Sequence, residues 1–261
     1  MERENPDQIA GRCIGIVGGM GPEAGVALSS KVIAETDSSS DSGHLPQILF
    51  SFPSLTPDRT AFITGEIKNN PGYIIADLIE RLERAGATIA AIACNSAHAP
   101  QIFDLARRLM AEKGLKIELL HIIDETAHYL KERWPDISKV GILSTTGTYV
   151  TRLYDRLNSH EIETIWLSPK HQERLHSLIY HQDRGIKARA GRLGEEHREQ
   201  LVQFMEIVAK KGAEAIVLGC TELPLAFGGE KMKGIPVVDP ATATARALIR
   251  HISPEKLKKR V

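Results

Sequence analysis

Two stretches of the chain share one pattern, GATIAAIAC at residues 86–94 and GAEAIVLGC at residues 212–220. Each copy is a short apolar run that begins after a glycine and ends on a cysteine. The copies lie 126 residues apart, the difference between 220 and 94. The same offset relates Ile14-Gly15-Ile16 to Val140-Gly141-Ile142. Because separate landmarks share one offset, the sequence predicts two units that are built alike.

Short apolar runs alternate with amphipathic stretches along the whole chain. This alternation predicts an α/β fold of parallel sheets with helices on both faces. The predicted strands are Cys13–Gly18, Gln47–Phe52, Thr88–Cys94, Lys116–His121, Lys139–Leu143, Glu161–Trp166, Glu214–Cys220 and Ile235–Val238. The predicted helices include Tyr73–Ala85, Ala99–Lys113, Asp124–Trp134 and Arg189–Lys211.

The repeat also predicts how the chain divides into domains. We expect a first α/β domain at residues 1–123, joined by a C-terminal helix at residues 240–261, and a second at residues 124–239. A pseudo-twofold axis between two such domains would place their strand ends on either side of one cleft. We expect the active site in that cleft.

The composition of the chain indicates which binding partners and which cellular location to expect. The chain has 33 basic and 33 acidic side chains, so its formal net charge is zero. This balance favours neither nucleic acid nor an anionic membrane as a partner. No apolar run reaches the roughly 20 residues of a membrane helix, and residues 1–11 lack the apolar stretch of a signal peptide. We therefore expect a cytoplasmic protein whose three cysteines are free thiols.

Cys94 and Cys220 are the leading candidates for chemistry. In parallel sheets, ligands bind beyond the carboxyl ends of the strands, where both cysteines are expected. A helix N-terminus there would lower the pKa of a thiol. Racemisation removes a proton from one face of a carbon atom and returns one to the other, so it suits two like groups on opposite sides of a cleft. Cys13 lies inside the first predicted strand and is interpreted as a core residue.

Three other features have alternative interpretations. The glycine-rich turn at residues 18–24 formally matches a dinucleotide motif, but the second strand does not end in an acidic residue, so a tight turn with small-anion contacts is favoured. The hydroxyls at residues 144–148 fit a helix cap and a substrate contact equally well. His98 follows Cys94 by four residues, yet no further ligands cluster nearby, so we expect no metal.

Several motifs together resemble the aspartate racemase family, part of the wider aspartate/glutamate racemase superfamily. The resemblance runs in order from the first strand to about residue 223. The motifs that carry it are Gly18-Gly19-Met20-Gly21-Pro22-Glu23-Ala24, Pro57-Asp58-Arg59-Thr60-Ala61, Cys94-Asn95-Ser96-Ala97-His98, Leu143-Ser144-Thr145-Thr146-Gly147-Thr148, Gly185-Ile186-Lys187 and Gly219-Cys220-Thr221-Glu222-Leu223.

The resemblance implies two similar α/β domains, an active site between them, and no cofactor, neither pyridoxal phosphate nor a metal. It makes Cys94 and Cys220 the acid/base pair, and Arg59 and Lys187 the pair that binds the substrate's side-chain carboxylate. A homodimer is also implied. The remaining residues expected to bind substrate are Met20, Asn95, Ser96, Ala97, Thr145 and Thr221.

The sequence departs from the family pattern near the expected side-chain pocket. Residues 51–56 lack the asparagine-proline-glutamine pattern often found there, and Glu222 stands where cell-wall glutamate racemases have histidine. The leading hypothesis is racemisation of aspartate or glutamate. The alternatives are a maleate-type isomerase of a small dicarboxylate and a non-catalytic protein that binds dicarboxylates or amino acids.

Overall fold

A computed structural model describes residues 13–189 and 193–259 of the chain. The predictions for residues 1–11, for residues 190–192 of the helix predicted at 189–211, and for the last two residues of the C-terminal helix lie outside the described residues. Among the helices that are described, none combines the length and the apolar character needed to cross a bilayer.

The first sheet has four strands, all parallel. Their order across the sheet is β2-β1-β3-β4. The strands are β1 (Cys13–Gly18), β2 (Gln47–Ser51), β3 (Ala87–Ile92) and β4 (Glu118–Leu119).

The second sheet has five strands in the order β6-β5-β7-β9-β8. Four of them are parallel, and β8, which was not predicted, pairs antiparallel with β9. The order β6-β5-β7-β9 repeats the order β2-β1-β3-β4, and β5 lies 126 residues beyond β1. The α/β fold of two similar sheets is therefore confirmed. The strands are β5 (Lys139–Ser144), β6 (Glu163–Trp166), β7 (Ala215–Gly219), β8 (Lys231–Met232) and β9 (Ile235–Val238).

Ten α-helices lie in the described part of the chain. They are α1 (Pro22–Glu35), α2 (Arg59–Ile63), α3 (Gly72–Arg84), α4 (Pro100–Glu112), α5 (Ile122–Arg133), α6 (Thr146–Val150), α7 (Pro169–Tyr180), α8 (Glu195–Lys210), α9 (Leu223–Phe227) and α10 (Pro240–Ile252).

Helices cover both faces of the first sheet, which explains why its strands are apolar on both sides. Val17 of β1 packs with Ile79 of α3 in one core. The neighbouring Ile16 points to the opposite face and packs with Leu28 of α1 and Leu248 of α10. The second sheet is covered in the same way by α7 and α8 on one face and α5 on the other.

The glycines of the repeat allow a helix to lie directly on each sheet. A Cβ at Gly15 would lie 3.0 Å from Leu82 of α3, and a Cβ at Gly141 would lie 2.5 Å from Val208 of α8. A larger residue would crowd Leu82 at the first position and would force Val208 to shift at the second. The shared motif is therefore a packing feature of both halves.

Helix α10 packs against both halves of the molecule. Ala245 and Leu248 belong to a core of the first sheet, whereas Ala243 packs with Ile123 in a core of the second. The helix ends at Ile252 and does not continue through residue 261 as predicted. Ser253 precedes Pro254 and leaves the helical conformation, as the residue before a proline commonly does.

Other helices and strands also begin or end at residues that differ from the predicted ones. Strand β4 contains two residues where six were predicted, because it is an edge strand that pairs only with Ile89 and Ala90. Helix α8 begins at Glu195 rather than at Arg189, since the extended Gly194 precedes it. Strands β3 and β7 end before their cysteines. Both thiols therefore lie in the loops that follow the strands.

Candidate active site

Residues that follow β1, β3, β5 and β7 meet at the carboxyl ends of these strands. Together with Arg59, Tyr180 and Lys187 they surround a cavity of about 10 Å³, which is at most room for one water molecule. Nine of the ten predicted site residues line this cavity, Cys94 and Cys220 among them. The tenth, Ala97, has its side chain in the core of the first sheet. Three lining residues were not predicted as site residues: Tyr180, Gly219 and Glu222.

Cys94 is buried in a tight turn after β3. Its Sγ lies 3.5 Å from the hydroxyl of Ser96, and its carbonyl oxygen accepts a hydrogen bond from His98 Nδ1 at 2.9 Å. The guanidinium of Arg59 also lies beside the thiol. Helix α4 begins only at Pro100, six residues later, so Cys94 is not at the N-terminus of a long helix as was predicted.

Cys220 is buried in the corresponding loop after β7. Its thiol donates a hydrogen bond to Glu222 Oε2 at 3.1 Å. Burial and the neighbouring carboxylate raise the pKa of Cys220 well above its ordinary value. The predicted lowering of the pKa of this thiol is therefore wrong, because burial and the Glu222 carboxylate outweigh the opposite effects of Lys187 and of the backbone N–H of Glu222.

Glu222 is held by hydrogen bonds from both halves of the molecule. Oε1 accepts from the backbone N–H of Gly21 at 3.0 Å and from Lys187 Nζ at 2.8 Å. Oε2 accepts from the thiol of Cys220 and from the hydroxyl of Thr221 at 3.2 Å. Burial alone would raise the pKa of Glu222, but Lys187 and these hydrogen bonds outweigh it and the pKa is lowered. The carboxylate is therefore ionised.

The glycine-rich turn makes the anion contact that the sequence indicated, with the protein's own Glu222 as the anion. Gly19 has a φ of +84°, and a Cβ there would lie 2.9 Å from the backbone of Phe52. Only glycine fits this turn. The turn thereby brings the N–H of Gly21 to the cavity.

Arg59 is a buried cation with spare hydrogen-bonding capacity. Its Nη1 and Nη2 donate to the carbonyl oxygens of Pro57 and Met20, each at 3.1 Å. Its Nε is buried and has no hydrogen-bond acceptor among the described residues. The adjacent carboxylate of Asp58 accepts from the N–H of Ala61 at the start of α2. A guanidinium placed in this way suits a carboxylate ligand.

Tyr180 lies between the two predicted cations. Its hydroxyl donates to Asp58 Oδ2 at 3.2 Å, and Lys187 Nζ lies 5.0 Å from the centre of its ring. Burial raises the pKa of this phenol above its ordinary range. Burial would lower the pKa of Lys187, but Glu222 and Tyr180 keep it raised, so Lys187 is charged.

Asn95 and Thr145 provide polar groups on the two sides of the cavity. The fully buried Tyr154 donates to Asn95 Oδ1 at 2.5 Å. Asn95 Nδ2 is buried and has no hydrogen-bond partner among the described residues, so its N–H groups are available to a ligand. The hydroxyl of Thr145 lies 3.5 Å from that of Thr148. The loop after β5 therefore contributes Thr145 to the lining of the cavity.

His98 packs beneath the Cys94 turn. Its ring stacks on Phe103 and meets the edge of His121, with centroids 4.9 Å away in both cases. Burial and then His121 lower the pKa of His98 to about 3, so the ring is neutral. Within residues 13–189 and 193–259, no three His, Cys, Asp or Glu side chains are grouped so that they could hold a metal ion.

The chain resembles known proteins over almost its whole length. Residues 17–248 match the sequence profile of the family described as Asp/Glu/Hydantoin racemase. The aspartate racemase of Picrophilus torridus is 30% identical, with a TM-score of 0.78 over 95% of this chain and 97% of that chain. An aspartate racemase homologue from Pyrococcus horikoshii is 26% identical, with a TM-score of 0.67 over 93% and 99%. The broad specificity amino-acid racemase RacX of Bacillus subtilis is 24% identical over 90% of this chain and 96% of its own.

Proposed function

The chain belongs to the Asp/Glu/hydantoin racemase family, and from this premise we propose that it interconverts L- and D-aspartate, or glutamate, with Cys94 and Cys220 as acid and base. As a member of this family it is an enzyme of the isomerase class, an amino-acid racemase. The observation that carries the proposal is that two thiols from equivalent loops line one cavity together with two cations.

The two thiols divide the reaction between two faces of the substrate. The thiolate of one cysteine takes the proton from Cα and becomes a thiol. The thiol of the other gives its proton to the opposite face and becomes a thiolate, so one proton enters and one leaves the carbon. The reverse reaction exchanges the two roles. No cofactor is needed in this scheme.

An acidic side chain suits the charges around the cavity. Arg59 has spare donors and no hydrogen bond to a carboxylate among the described residues. Lys187 is the second cation, although it now contacts Glu222. A substrate carboxylate that reached both cations would be held by charge-assisted hydrogen bonds. This pair is the basis for proposing aspartate or glutamate over neutral amino acids.

The α-carboxylate and amine are assigned to the polar groups of the loops after β3, β5 and β7. We assign them to Asn95, Ser96, Thr145 and Thr221, which line the cavity. Met20 contributes its backbone beside Arg59, and Ala97 contributes only its backbone because its side chain lies in the core. Fixed donors of this kind stabilise the charge that develops when Cα loses its proton.

The proposal extends to the organisation of the protein. It places the first domain at residues 1–123 with the C-terminal helix region 240–261, and the second at residues 124–239. The boundary falls in the first turn of α5, which begins at Ile122. We also propose a homodimer and a cytoplasmic location.

The decisive experiment is racemisation in D₂O. L-Aspartate incubated with folded, reduced enzyme should give D-aspartate that carries deuterium at Cα. The Cys94→Ala and Cys220→Ala variants should each lose roughly 10²–10⁴-fold in rate. Cys13→Ala is the matched control, because Cys13 is a buried thiol in β1 away from the cavity, and it should keep the wild-type rate.

Three outcomes would contradict the proposal. The first is absence of deuterium exchange with either enantiomer of aspartate and glutamate. The second is wild-type turnover by one of the two cysteine variants. The third is consumption of maleate, followed by its ultraviolet absorbance, in enzyme that leaves both amino acids unchanged.

A further inference from the structure

The two cavity thiols have different neighbours at the same position of the repeat. The offset of 126 residues that relates Cys94 to Cys220 also relates Ser96 to Glu222. Ser96 places a hydroxyl 3.5 Å from the thiol of Cys94. Glu222 places a carboxylate 3.1 Å from the thiol of Cys220. The symmetry of the site is therefore broken beside the proposed acid/base groups.

The carboxylate cannot turn away from the thiol without losing other contacts. Glu222 is 5% exposed. Its Oε1 accepts hydrogen bonds from Gly21 and Lys187, and its Oε2 accepts a second bond from Thr221. These three contacts hold Oε2 against Cys220 in a fixed geometry.

A fixed carboxylate favours one protonation state of its neighbour. An ionised carboxylate only accepts hydrogen bonds, so the contact is favourable when Cys220 carries its proton. A thiolate in the same place would put two negative charges about 3 Å apart in a buried site, which is strongly unfavourable. The hydroxyl of Ser96 can donate as well as accept, and therefore imposes no such preference on Cys94.

We infer that Glu222 is a positioning residue that keeps the proton on Cys220, so that the resting enzyme presents Cys220 as its acid and Cys94 as its base. The inference rests on the proposed two-thiol racemisation. It adds that the protonation states of the two thiols differ in the resting enzyme, which can therefore react directly with the enantiomer whose Cα proton faces Cys94.

The other charged and titratable groups around Cys220 do not reverse this preference. Lys187 would favour a thiolate, but its charge is paired with Glu222 at 2.8 Å. Tyr154 and Tyr180 also face Cys220, and burial raises the pKa of both phenols, so they are neutral. Burial raises the pKa of Cys220 in the same direction as Glu222 does.

The preference has a consequence for turnover. When Cys94 has taken a proton from the substrate and Cys220 has given one, the free enzyme is left with a thiolate beside Glu222. This form is the less stable of the two, so it recovers by taking a proton from solvent at Cys220 and releasing one from Cys94. The direction that needs Cys220 as a base should therefore require a higher pH than the opposite direction.

The test measures the protonation of Cys220 directly. In the Cys94→Ala variant, the rate of alkylation of Cys220 by iodoacetamide is followed against pH by mass spectrometry of its peptide, which separates it from Cys13. Glu222→Gln is then added to Cys94→Ala, which keeps the shape of the Glu222 side chain and removes its charge. The midpoint of the alkylation rate against pH should fall by roughly 1–3 pH units. Glu222→Asp keeps a carboxylate and should restore a midpoint near that of the parent.

The controls separate this effect from general damage. Glu173→Gln removes an exposed carboxylate on α7 outside the cavity and should leave the midpoint unchanged. An unchanged or higher midpoint in Glu222→Gln would overturn the inference. If that variant does not fold, the Cys94→Ala protein alone decides, because the inference requires a Cys220 midpoint above the ordinary thiol value of about 8.5.

Failure of the inference about Glu222 can be distinguished from failure of the proposed racemase function. A lower midpoint in Glu222→Gln without racemisation of any acidic amino acid would leave the proton assignment standing and refute the racemase scheme. Racemisation together with an unchanged alkylation midpoint in Glu222→Gln would refute the proton assignment and leave the racemase scheme standing. In an active enzyme, Glu222→Gln should also bring the pH profiles of the two directions closer together.

Discussion

The ammonium group of Lys187 lies 2.8 Å from Glu222 Oε1, inside the cavity that holds both thiols. Lys187 comes from the connection after α7, and Glu222 comes from the loop after β7. Each charge is unfavourable alone in a buried site and is stabilised by the other. The pair therefore holds two separate segments together at the candidate active site. Glu222 is also bound to Lys187, one of the two cations proposed to bind the substrate's side-chain carboxylate.

Removing Lys187 should destabilise the fold because it leaves a buried carboxylate without its cation. We expect Lys187→Met to lower the free energy of unfolding by roughly 3 kcal/mol, the low end for a broken buried pair, since Lys187 reaches solvent in part. Urea unfolding measures this loss. Adding Glu222→Gln to Lys187→Met should recover part of it, and a double variant less stable than the single one would contradict the pairing.

Replacing Arg59 by lysine should weaken the binding of acidic substrates although the charge is kept. Lysine cannot reach the carbonyl oxygens of Met20 and Pro57 and also present a planar pair of donors to a carboxylate. We expect a 10- to 100-fold loss in kcat/KM for aspartate, about the value of hydrogen bonds to a charged group. Arg107→Lys, an exposed arginine on α4, is the control and should behave as wild type.

The hydroxyl of Tyr154 should matter for both stability and turnover. Tyr154→Phe removes the donor to Asn95 Oδ1 and leaves that buried oxygen unsatisfied. We expect a loss of roughly 1–3 kcal/mol in the free energy of unfolding and a lower kcat, because Asn95 is no longer held. Tyr73→Phe, with Tyr73 62% exposed, should change stability by less than about 0.5 kcal/mol.

The buried imidazoles beneath the Cys94 turn should make the fold sensitive to mild acid. Burial lowers the pKa of His98 to about 3 and that of His121 to about 4. In the unfolded chain both pKa values return to about 6.5, so the unfolded state binds more protons below that pH. The stability is complete above about pH 6.5. It should fall by about 1.4 kcal/mol per pH unit for each histidine as the pH drops towards the folded pKa values.

His98→Gln tests this origin of acid sensitivity. The variant should lose one of the two proton-linked contributions, so the slope of unfolding free energy against pH between about pH 4 and 6 should decrease by about 1.4 kcal/mol per unit. His251→Gln, at an exposed histidine of α10, should leave the slope as it is. An unchanged slope in His98→Gln would mean that other groups cause the acid sensitivity.

The architecture and the equivalent positions of the two thiols could be predicted from the sequence. Apolar runs that alternate with amphipathic stretches predict parallel sheets covered by helices, and the shared offset assigns Cys94 and Cys220 to equivalent strand ends. Most element positions, and nine of the twelve residues that line the cavity, were predicted from these patterns and from the resemblance. Element ends were less predictable, because edge pairing and capping at β4 and α8 depend on neighbours.

The groups that surround each thiol could not be predicted from the sequence, because they come from segments that are distant in the chain. Glu222 contacts Gly21, which is 201 residues away in the chain, and no local pattern records such an approach. The direction of the Cys220 pKa shift was mispredicted for the same reason, since it depends on burial and on a carboxylate oriented by Lys187 and Gly21. The repeat made the two thiols equivalent in position, and contacts between distant segments made them chemically different.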